Sequence, residues 1–301
     1  MGKDINNDNT FMIRFRSSVI LMIITIASVV LGGYVLAGVL LVVSLIGQME
    51  LYRTLKFNKN GLAVPGYIAT VLWYAGIVIC NVLVSGETSD EPEALVKLSG
   101  FVFNCMIIAG IAIALLLALL IIYVVRFPKF NSEQVMTAFF GFFYPVVLLS
   151  FIYLIRSLEG GQYSVWLLFI GSWGADTAAY LVGRKIGRHK VVPVLSPKKS
   201  LEGFVGGVVG AAIIGVIYAL IFKQQLIDSG IAAPVAAFAI IAAVSAVFSI
   251  IGDLAASAIK RDKGIKDYGR LIPGHGGILD RFDSVIIIAP VIYILLALLA
   301  G

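Results

Sequence analysis

The side chains best suited to chemistry lie in one polar segment, residues 260–283, which reads KRDKGIKDYGRLIPGHGGILDRFD. Its lysines and arginines can neutralise phosphoryl oxygens, and Gly274, Gly276 and Gly277 leave room for backbone N–H groups to approach an anion. A loop that only fixes membrane orientation or attracts anionic lipid needs the cations, but neither the glycines nor the carboxylates. The segment therefore predicts phosphate chemistry.

Carboxylates stand at both ends of that segment. Asp280 and Asp283 are one helical step apart where an apolar stretch begins. Before the segment, Asp253, Ser257 and Lys260 recur at i, i+4 and i+7 and share one helix face. Carboxylate oxygens suit Mg²⁺, which binds one or two carboxylates together with substrate phosphates. The pattern predicts a magnesium site beside the phosphate-binding loop.

Two acids, Asp176 and Asp253, fall inside apolar stretches. A carboxylate within the hydrocarbon of a membrane is costly, so such a residue is a functional candidate by default. The alternative is an acid that is paired with a lysine or arginine, or wetted near the membrane surface. The sequence leaves both interpretations open.

Two further features carry weaker signals. Residues 196–203 read SPKKSLEG, in which Lys198 and Lys199 can hold nucleotide phosphates or a lipid head group, with Ser200 capping the next helix. A basic cluster that only keeps this loop on one side of the membrane explains the lysines equally well. His275 is either a catalytic group or a hydrogen-bonding residue of its loop.

The composition places the chain in a membrane. Of 301 residues, 60% are hydrophobic and 13% charged, with a mean hydropathy of +1.00, whereas soluble domains carry about 25% charged residues. Disordered, collagenous, coiled-coil and disulfide-stapled classes are excluded. Cys80 and Cys105 each lie in an apolar run and offer no metal-ligand spacing.

Apolar stretches define the expected spans. The first, residues 17–46, exceeds the ~20 residues of one crossing and has Gly32 and Gly33 at its middle, which favours a hairpin of two helices over one long helix. Further apolar segments follow at 62–84, 100–125, 134–155, 164–183, 203–222, 232–259 and 284–300. Together they predict about nine spans.

The basic residues test that count. With the amino terminus cytoplasmic, all of the 23 lysines and arginines except Lys97, Arg156 and Lys223 fall in cytoplasmic segments. One long helix over 17–46 would leave the basic residues of the amino terminus outside. The net charge of +6 therefore reflects membrane orientation rather than binding to nucleic acid.

We therefore predict an all-α, polytopic integral membrane helical bundle. Residues 1–156 form an amino-terminal region of about five spans, and residues 157–301 form a carboxyl-terminal catalytic region. The two basic loops of the second region, 184–202 and 260–283, lie on the same cytoplasmic face, where we expect the chemistry.

The run from Ser257 to Asp283 resembles the signature of the phosphatidate cytidylyltransferases, also called CDP-diacylglycerol synthases. The matching positions are Ser257, Lys260, Arg261, Lys266, Asp267, Gly269, Pro273, His275, Gly276, Gly277, Asp280, Arg281 and Asp283. So many fixed polar positions make the pattern highly specific. The segment around Asp176 and residues 196–203 also look like the family, whereas the amino-terminal spans match it only in kind.

The resemblance implies that CTP and phosphatidate react to give CDP-diacylglycerol and pyrophosphate for phospholipid biosynthesis. It implies Mg²⁺ as cofactor, leaves room for K⁺ as a second cation, and allows a homodimer. The short amino terminus is similar to that of bacterial members, which implies the bacterial inner membrane with the active site at its cytoplasmic face.

Site residues follow from the resemblance and the residue types together. The expected catalytic residues are Asp253, Asp280, Asp283, Lys266 and His275, and the expected metal ligands are the first three. The expected substrate-binding residues are Asp176, Lys198, Lys199, Ser200, Ser257, Lys260, Arg261, Asp267, Gly276, Gly277 and Arg281.

Other activities remain as alternatives. A cytidylyltransferase for another lipid would use the same chemistry, whereas a CTP-dependent lipid kinase would need a base to deprotonate a lipid hydroxyl. An ion-coupled transporter would use the buried acids as ion sites, but the sequence shows no paired inverted repeat to support it.

Overall fold

Helices make up the regular structure in the computed structural model, which describes residues 4–57, 61–86, 93–193, 195–197, 199–274 and 276–299. In chain order the helices are α1 (Asp4–Leu31), α2 (Gly33–Thr54), α3 (Ala63–Gly86), α4 (Glu93–Val125), α5 (Ser132–Ser157), α6 (Gly161–Ile186), α7 (Leu201–Ile221), α8 (Lys223–Asp228), α9 (Pro234–Asp262) and α10 (Leu279–Leu299). Within these ranges no β-strand forms.

Among the described residues, seven helices are long and apolar enough to cross a membrane, namely α2, α3, α5, α6, α7, α9 and α10. Two shorter apolar helical stretches, Arg16–Leu31 and Ala109–Val125, lie in α1 and α4. The outer face of α7 exposes Val205, Val209 and Ile213, as expected of a helix that lies against lipid. The all-α polytopic class is confirmed, and the count of about nine spans stays a prediction.

The first apolar run is interrupted at its glycines, as predicted. Gly32 and Gly33 adopt φ angles of +62° and +47°, a region that glycine enters without strain. The Nε–H group of Arg156 donates a hydrogen bond of 3.0 Å to the carbonyl of Val29, which satisfies an end group that the helix itself leaves unpaired. One continuous helix over 17–46 is therefore excluded.

The helices group into two units by their internal contacts. The first unit combines residues 1–32 with 151–301, and the second comprises residues 33–150. Both basic loops, 184–202 and 260–283, belong to the first unit. The division after residue 156 rested on where the polar chemistry lies, and it stays a prediction.

In the first unit, α7 packs against α6 on one side and α9 on the other. Glycines on α7 allow both approaches: a Cβ atom at Gly207 would lie 3.0 Å from the carbonyl oxygen of Ala175, and one at Gly215 would lie 2.8 Å from that of Phe238. Small residues at such crossings let membrane helices pack backbone to backbone. The crossings fix α6 and α9 relative to each other.

The second unit is organised around a buried polar network. Tyr52 donates a hydrogen bond of 2.7 Å to the carbonyl of Ala138, and it accepts one of 3.2 Å from the amide of Gln48. Thr70 donates to Gln48 at 2.8 Å. A network whose members satisfy one another holds helices in a unique arrangement.

We expect Gly215→Leu to lower the free energy of unfolding by about 1–3 kcal/mol, because the new side chain must push apart the backbones of α7 and α9. The melting temperature of the purified protein in detergent measures this. Gly38→Leu is the matched control, since nothing lies within 4 Å of a Cβ atom at Gly38. Equal melting temperatures for both variants would contradict the close crossing.

Candidate active site

A buried ion pair joins the two ends of the polar segment 260–283. The ammonium group of Lys260, at the end of α9, donates a hydrogen bond of 2.8 Å to Oδ1 of Asp280, at the start of α10. The two side chains are only 11% and 4% exposed. The same ammonium lies 5.2 Å from the centre of the aromatic ring of Tyr268, within the range of a cation–π contact.

The other oxygen of Asp280 shapes the loop between the helices. Oδ2 accepts hydrogen bonds from the backbone N–H groups of Tyr268, at 2.8 Å, and Gly277, at 2.9 Å. Gly276 has a φ angle of +84°, and a Cβ atom there would lie 2.8 Å from this carboxylate. Gly276 was predicted to leave room for an anion beside the backbone. In the structure, the anion beside Gly276 is the carboxylate of Asp280.

A second ion pair brings the loop 184–202 to α9. The ammonium of Lys199 lies 2.5 Å from Oδ2 of Asp253, with side chains 27% and 35% exposed. Ser200 accepts a hydrogen bond of 3.2 Å from the N–H group of Gly203, so the predicted N-cap of α7 is present. The cap and the ion pair together hold Lys199 against the carboxyl-terminal half of α9.

Three acids from three helices converge beside this pair. Asp176 lies two residues after a π-helical turn in α6, Ile170–Gly174, a distortion that is frequent at functional sites. Asp176 lies within electrostatic range of Lys199 and Asp253. Asp283 lies within range of Asp253 as well. The predicted meeting of Asp253 with the start of the last helix is therefore present in the structure.

Gly252 explains how α9 and α10 come so close at this point. A Cβ atom at Gly252 would lie 2.9 Å from the carbonyl oxygen of Asp283. Any larger residue would separate the two helices at the level where their carboxylates meet.

Two cavities open beside the acids, and Asp176 lines both. The larger cavity has a volume of about 410 Å³ and is lined by Asp176, Ala179, Tyr180, Gly183, Arg184, Val191, Val192, Lys199, Ser200, Gly203, Phe204, Ile250 and Leu254. The smaller cavity has a volume of about 300 Å³ and is lined by Ser18, Leu21, Met22, Thr25, Trp173, Asp176, Asp280, Arg281, Phe282, Asp283, Ser284 and Val285.

The acids differ in how well they suit a magnesium ion. Both oxygens of Asp280 already accept hydrogen bonds, whereas Asp283 lines the smaller cavity and Asp253 is partly exposed. Within the described part of the chain, no three His, Cys, Asp or Glu side chains are grouped closely enough to hold a metal ion. Mg²⁺ usually takes only one or two protein carboxylates with substrate phosphates, and Asp253 and Asp283 fit that requirement.

The remaining predicted residues are spread around this centre. Arg281 lines the smaller cavity, and Ser257 is half-buried on α9. Arg261, Lys266 and Asp267 are exposed and line neither cavity. Their roles, like the metal ligation by Asp280, stay predictions. Two predicted residues lie outside the described residues, namely Lys198 and His275.

Some residues that line the cavities were not predicted from the sequence. Tyr180 and Arg184 line the larger cavity, and Trp173 lines the smaller one. A signal for the first two was present, because Asp176, Tyr180 and Arg184 recur at i, i+4 and i+8 and share one face of α6. Nothing in the spacing pointed to Trp173.

Apolar helices that enclose acids paired with lysines define a polytopic membrane protein with a charged site in its helix bundle. Cations lie beside carboxylates in both cavities, Arg184 and Lys199 in the larger one and Arg281 in the smaller one, a combination that suits a metal-bound nucleotide and a second phosphate. A comparison with known families agrees, since the model of the Cytidylyltransferase family matches residues 12–299. The chain belongs to this family.

Its relatives include several bacterial enzymes. The chain is 32% identical over 256 residues to the phosphatidate cytidylyltransferase of Bacillus subtilis, covering 84% of this chain and 86% of that protein. It is 30% identical over 286 residues to that of Staphylococcus epidermidis, covering 94% and 98%. The chain is also 42% identical over 148 residues to the phosphatidate cytidylyltransferase of Staphylococcus saprophyticus. This match covers 49% of this chain and 54% of that protein, so it spans about half of each.

We expect Asp280→Asn to destabilise the loop 260–283, because it leaves the buried Lys260 ammonium without its carboxylate. Removing one partner of a buried ion pair costs ~3–5 kcal/mol. Limited trypsin digestion in detergent measures the effect as faster cleavage within the loop. Asp228→Asn, an exposed acid of α8, is the control. Unchanged cleavage of Asp280→Asn would show that this pair does not hold the loop.

Proposed function

We propose that the chain transfers the cytidylyl group of CTP to phosphatidate, which gives CDP-diacylglycerol and pyrophosphate. The observation that carries this proposal is the convergence of Asp176, Asp253 and Asp283 with Lys199 beside two cavities. The full-length relatives of Bacillus subtilis and Staphylococcus epidermidis bear the name of this activity.

The reaction needs positioning more than it needs a base. A phosphate monoester has a second pKa near ~6, so the phosphate of phosphatidate is largely ionised at neutral pH. One of its oxygens attacks the α-phosphorus of CTP and forms a new P–O bond. The bond from the α-phosphorus to the bridging oxygen breaks, and pyrophosphate leaves with the electron pair. The barrier therefore lies in bringing two anions together.

The residues of the site supply the positive charge that brings the two anions together. Lys199 and Arg281 supply positive charge from the two cavities, and they can neutralise phosphoryl oxygens. Magnesium held by Asp253 and Asp283 would supply further positive charge to the triphosphate, and K⁺ is a candidate second cation. Lys260 and Asp280 keep the loop folded around the reacting groups.

We also propose that the two basic loops of the chain lie on the cytoplasmic side of the membrane. The loops 184–202 and 260–283 contain a large share of the lysines and arginines, which cytoplasmic segments retain. The site then faces the cytoplasm, where CTP is made, from the inner membrane of a bacterial cell. The homodimer belongs to the proposal only through the family resemblance.

We expect radiolabel from α-³²P-CTP, and none from γ-³²P-CTP, to enter lipid when the purified protein receives phosphatidate and Mg²⁺ in lipid–detergent micelles. EDTA should abolish the transfer and added Mg²⁺ should restore it. Label that enters lipid only from the γ position, with an alcohol as acceptor, would mean a CTP-dependent kinase. If no label enters lipid from either nucleotide, both the cytidylyl transfer and the kinase activity are refuted.

We expect Asp253→Asn to lower kcat at least about 100-fold, because it removes one of the two carboxylates proposed to hold the magnesium ion that stabilises the negative charge of the triphosphate. Its melting temperature should stay close to that of the wild type, since the Asp253 side chain is partly exposed. Asp262→Asn on the same helix is the control, because that side chain is 70% exposed and pairs with Lys263. Unaltered turnover would remove Asp253 from the site.

A further inference from the structure

The two cavities differ in charge, although they share Asp176. The larger cavity combines the cations Arg184 and Lys199 with that one carboxylate. The smaller cavity combines Asp176, Asp280 and Asp283 with one cation, Arg281. An anion without a metal is attracted to the first and repelled by the second, so the larger cavity suits a bare phosphate and the smaller one suits a metal-bound triphosphate.

Arg184 is the cation of the larger cavity that a ligand can bind without breaking an ion pair. Lys199 is already engaged by Asp253, at 2.5 Å, whereas the described residues include no ion-pair partner for Arg184. A guanidinium group binds phosphate through two parallel hydrogen bonds, a geometry that a lysine cannot provide. Arg184 can therefore recognise the shape of a phosphate as well as its charge.

Most of the remaining wall of the larger cavity is apolar. Val191, Val192, Phe204, Ile250 and Leu254 line it, and these side chains suit glycerol esters and the first carbons of acyl chains. The volume of about 410 Å³ lies within the ~300–1,000 Å³ of small-molecule sites. A cavity of this size is large enough for the phosphate and glycerol of a phospholipid.

The position of Arg184 also suits the proposed reaction. It lies two helical turns after Asp176, a separation of about 12 Å along the axis of α6, and Lys199 lines the same cavity. A phosphate between Arg184 and Lys199 therefore lies next to the pair of Lys199 with Asp253, where the metal-bound nucleotide is expected.

We propose that Arg184 binds the phosphate monoester of the lipid acceptor in the larger cavity and selects this acceptor over lipids without a terminal phosphate. The assignment rests on the proposed function for the identity of the acceptor. Arg184 is then a specificity-determining residue that acts on phosphatidate and not on CTP.

Steady-state kinetics with dioctanoyl phosphatidate and CTP test this assignment. For Arg184→Ala we expect the KM for phosphatidate to rise at least about tenfold, as for the loss of a charge-assisted hydrogen bond, with the KM for CTP within about twofold of wild type. Arg184→Lys should recover part of the loss, because it restores the charge without the planar fork. Lys185→Ala is the matched control, since this exposed neighbour lines neither cavity.

Calorimetry without CTP separates this inference from the proposed reaction. Wild-type protein in micelles should bind dioctanoyl phosphatidate more tightly than dioctanoylglycerol, and Arg184→Ala should lose that preference. A wild type that shows the preference but transfers no cytidylyl group would refute the reaction and keep the lipid site.

Two results would overturn the assignment. The first is a raised KM for CTP with an unchanged KM for phosphatidate, which would place the nucleotide in the larger cavity. The second is a set of unchanged constants in both Arg184 variants. If Arg184→Ala does not fold, the same two results in Arg184→Lys overturn the assignment, and a raised KM for phosphatidate alone supports it.

Discussion

A carboxylate inside an apolar helix bundle needs a positive partner, because an unpaired charge there is expensive. Two ion pairs meet this constraint in the first unit: Lys260 with Asp280, and Lys199 with Asp253. The first pair joins the end of α9 to the start of α10, and the second joins the loop 184–202 to α9. The need to pair these carboxylates with cations therefore also brings the two basic loops close to each other.

The two pairs have different consequences. The pair of Lys260 with Asp280 is buried, and its carboxylate also accepts two backbone N–H groups of the loop, so it holds a fixed structure. The pair of Lys199 with Asp253 is partly exposed beside the cavities, so an incoming phosphate or metal ion can compete for either partner. The first pair builds the site, and the second is available to substrates.

Much of this arrangement could be predicted from the sequence, because local patterns carry it. The glycines at 32 and 33 predicted the helix break, Ser200 predicted a cap, and the stripe at Asp253 predicted a helix that leads into the basic loop. These features depend on residues a few positions apart, where spacing translates directly into geometry. The same holds for the all-α membrane class, which composition alone decides.

The rest depends on packing between distant segments. That Asp280 bonds its own loop rather than facing outward follows from the fold of residues 264–279, which no short pattern specifies. The cavities, and with them the places of Trp173 and Arg184, arise from how α1, α6, α7, α9 and α10 pack. Residue types predicted phosphate chemistry for the site, whereas tertiary contacts decide which cation has no ion-pair partner among the described residues.

The most direct test of the account is an experimental structure of the protein with Mg²⁺ and a non-hydrolysable CTP analogue in lipid. We expect the triphosphate in the smaller cavity, with the metal on Asp253 and Asp283 and the Lys260–Asp280 pair intact. A nucleotide bound on the exposed side of the loop, away from these carboxylates, would contradict it.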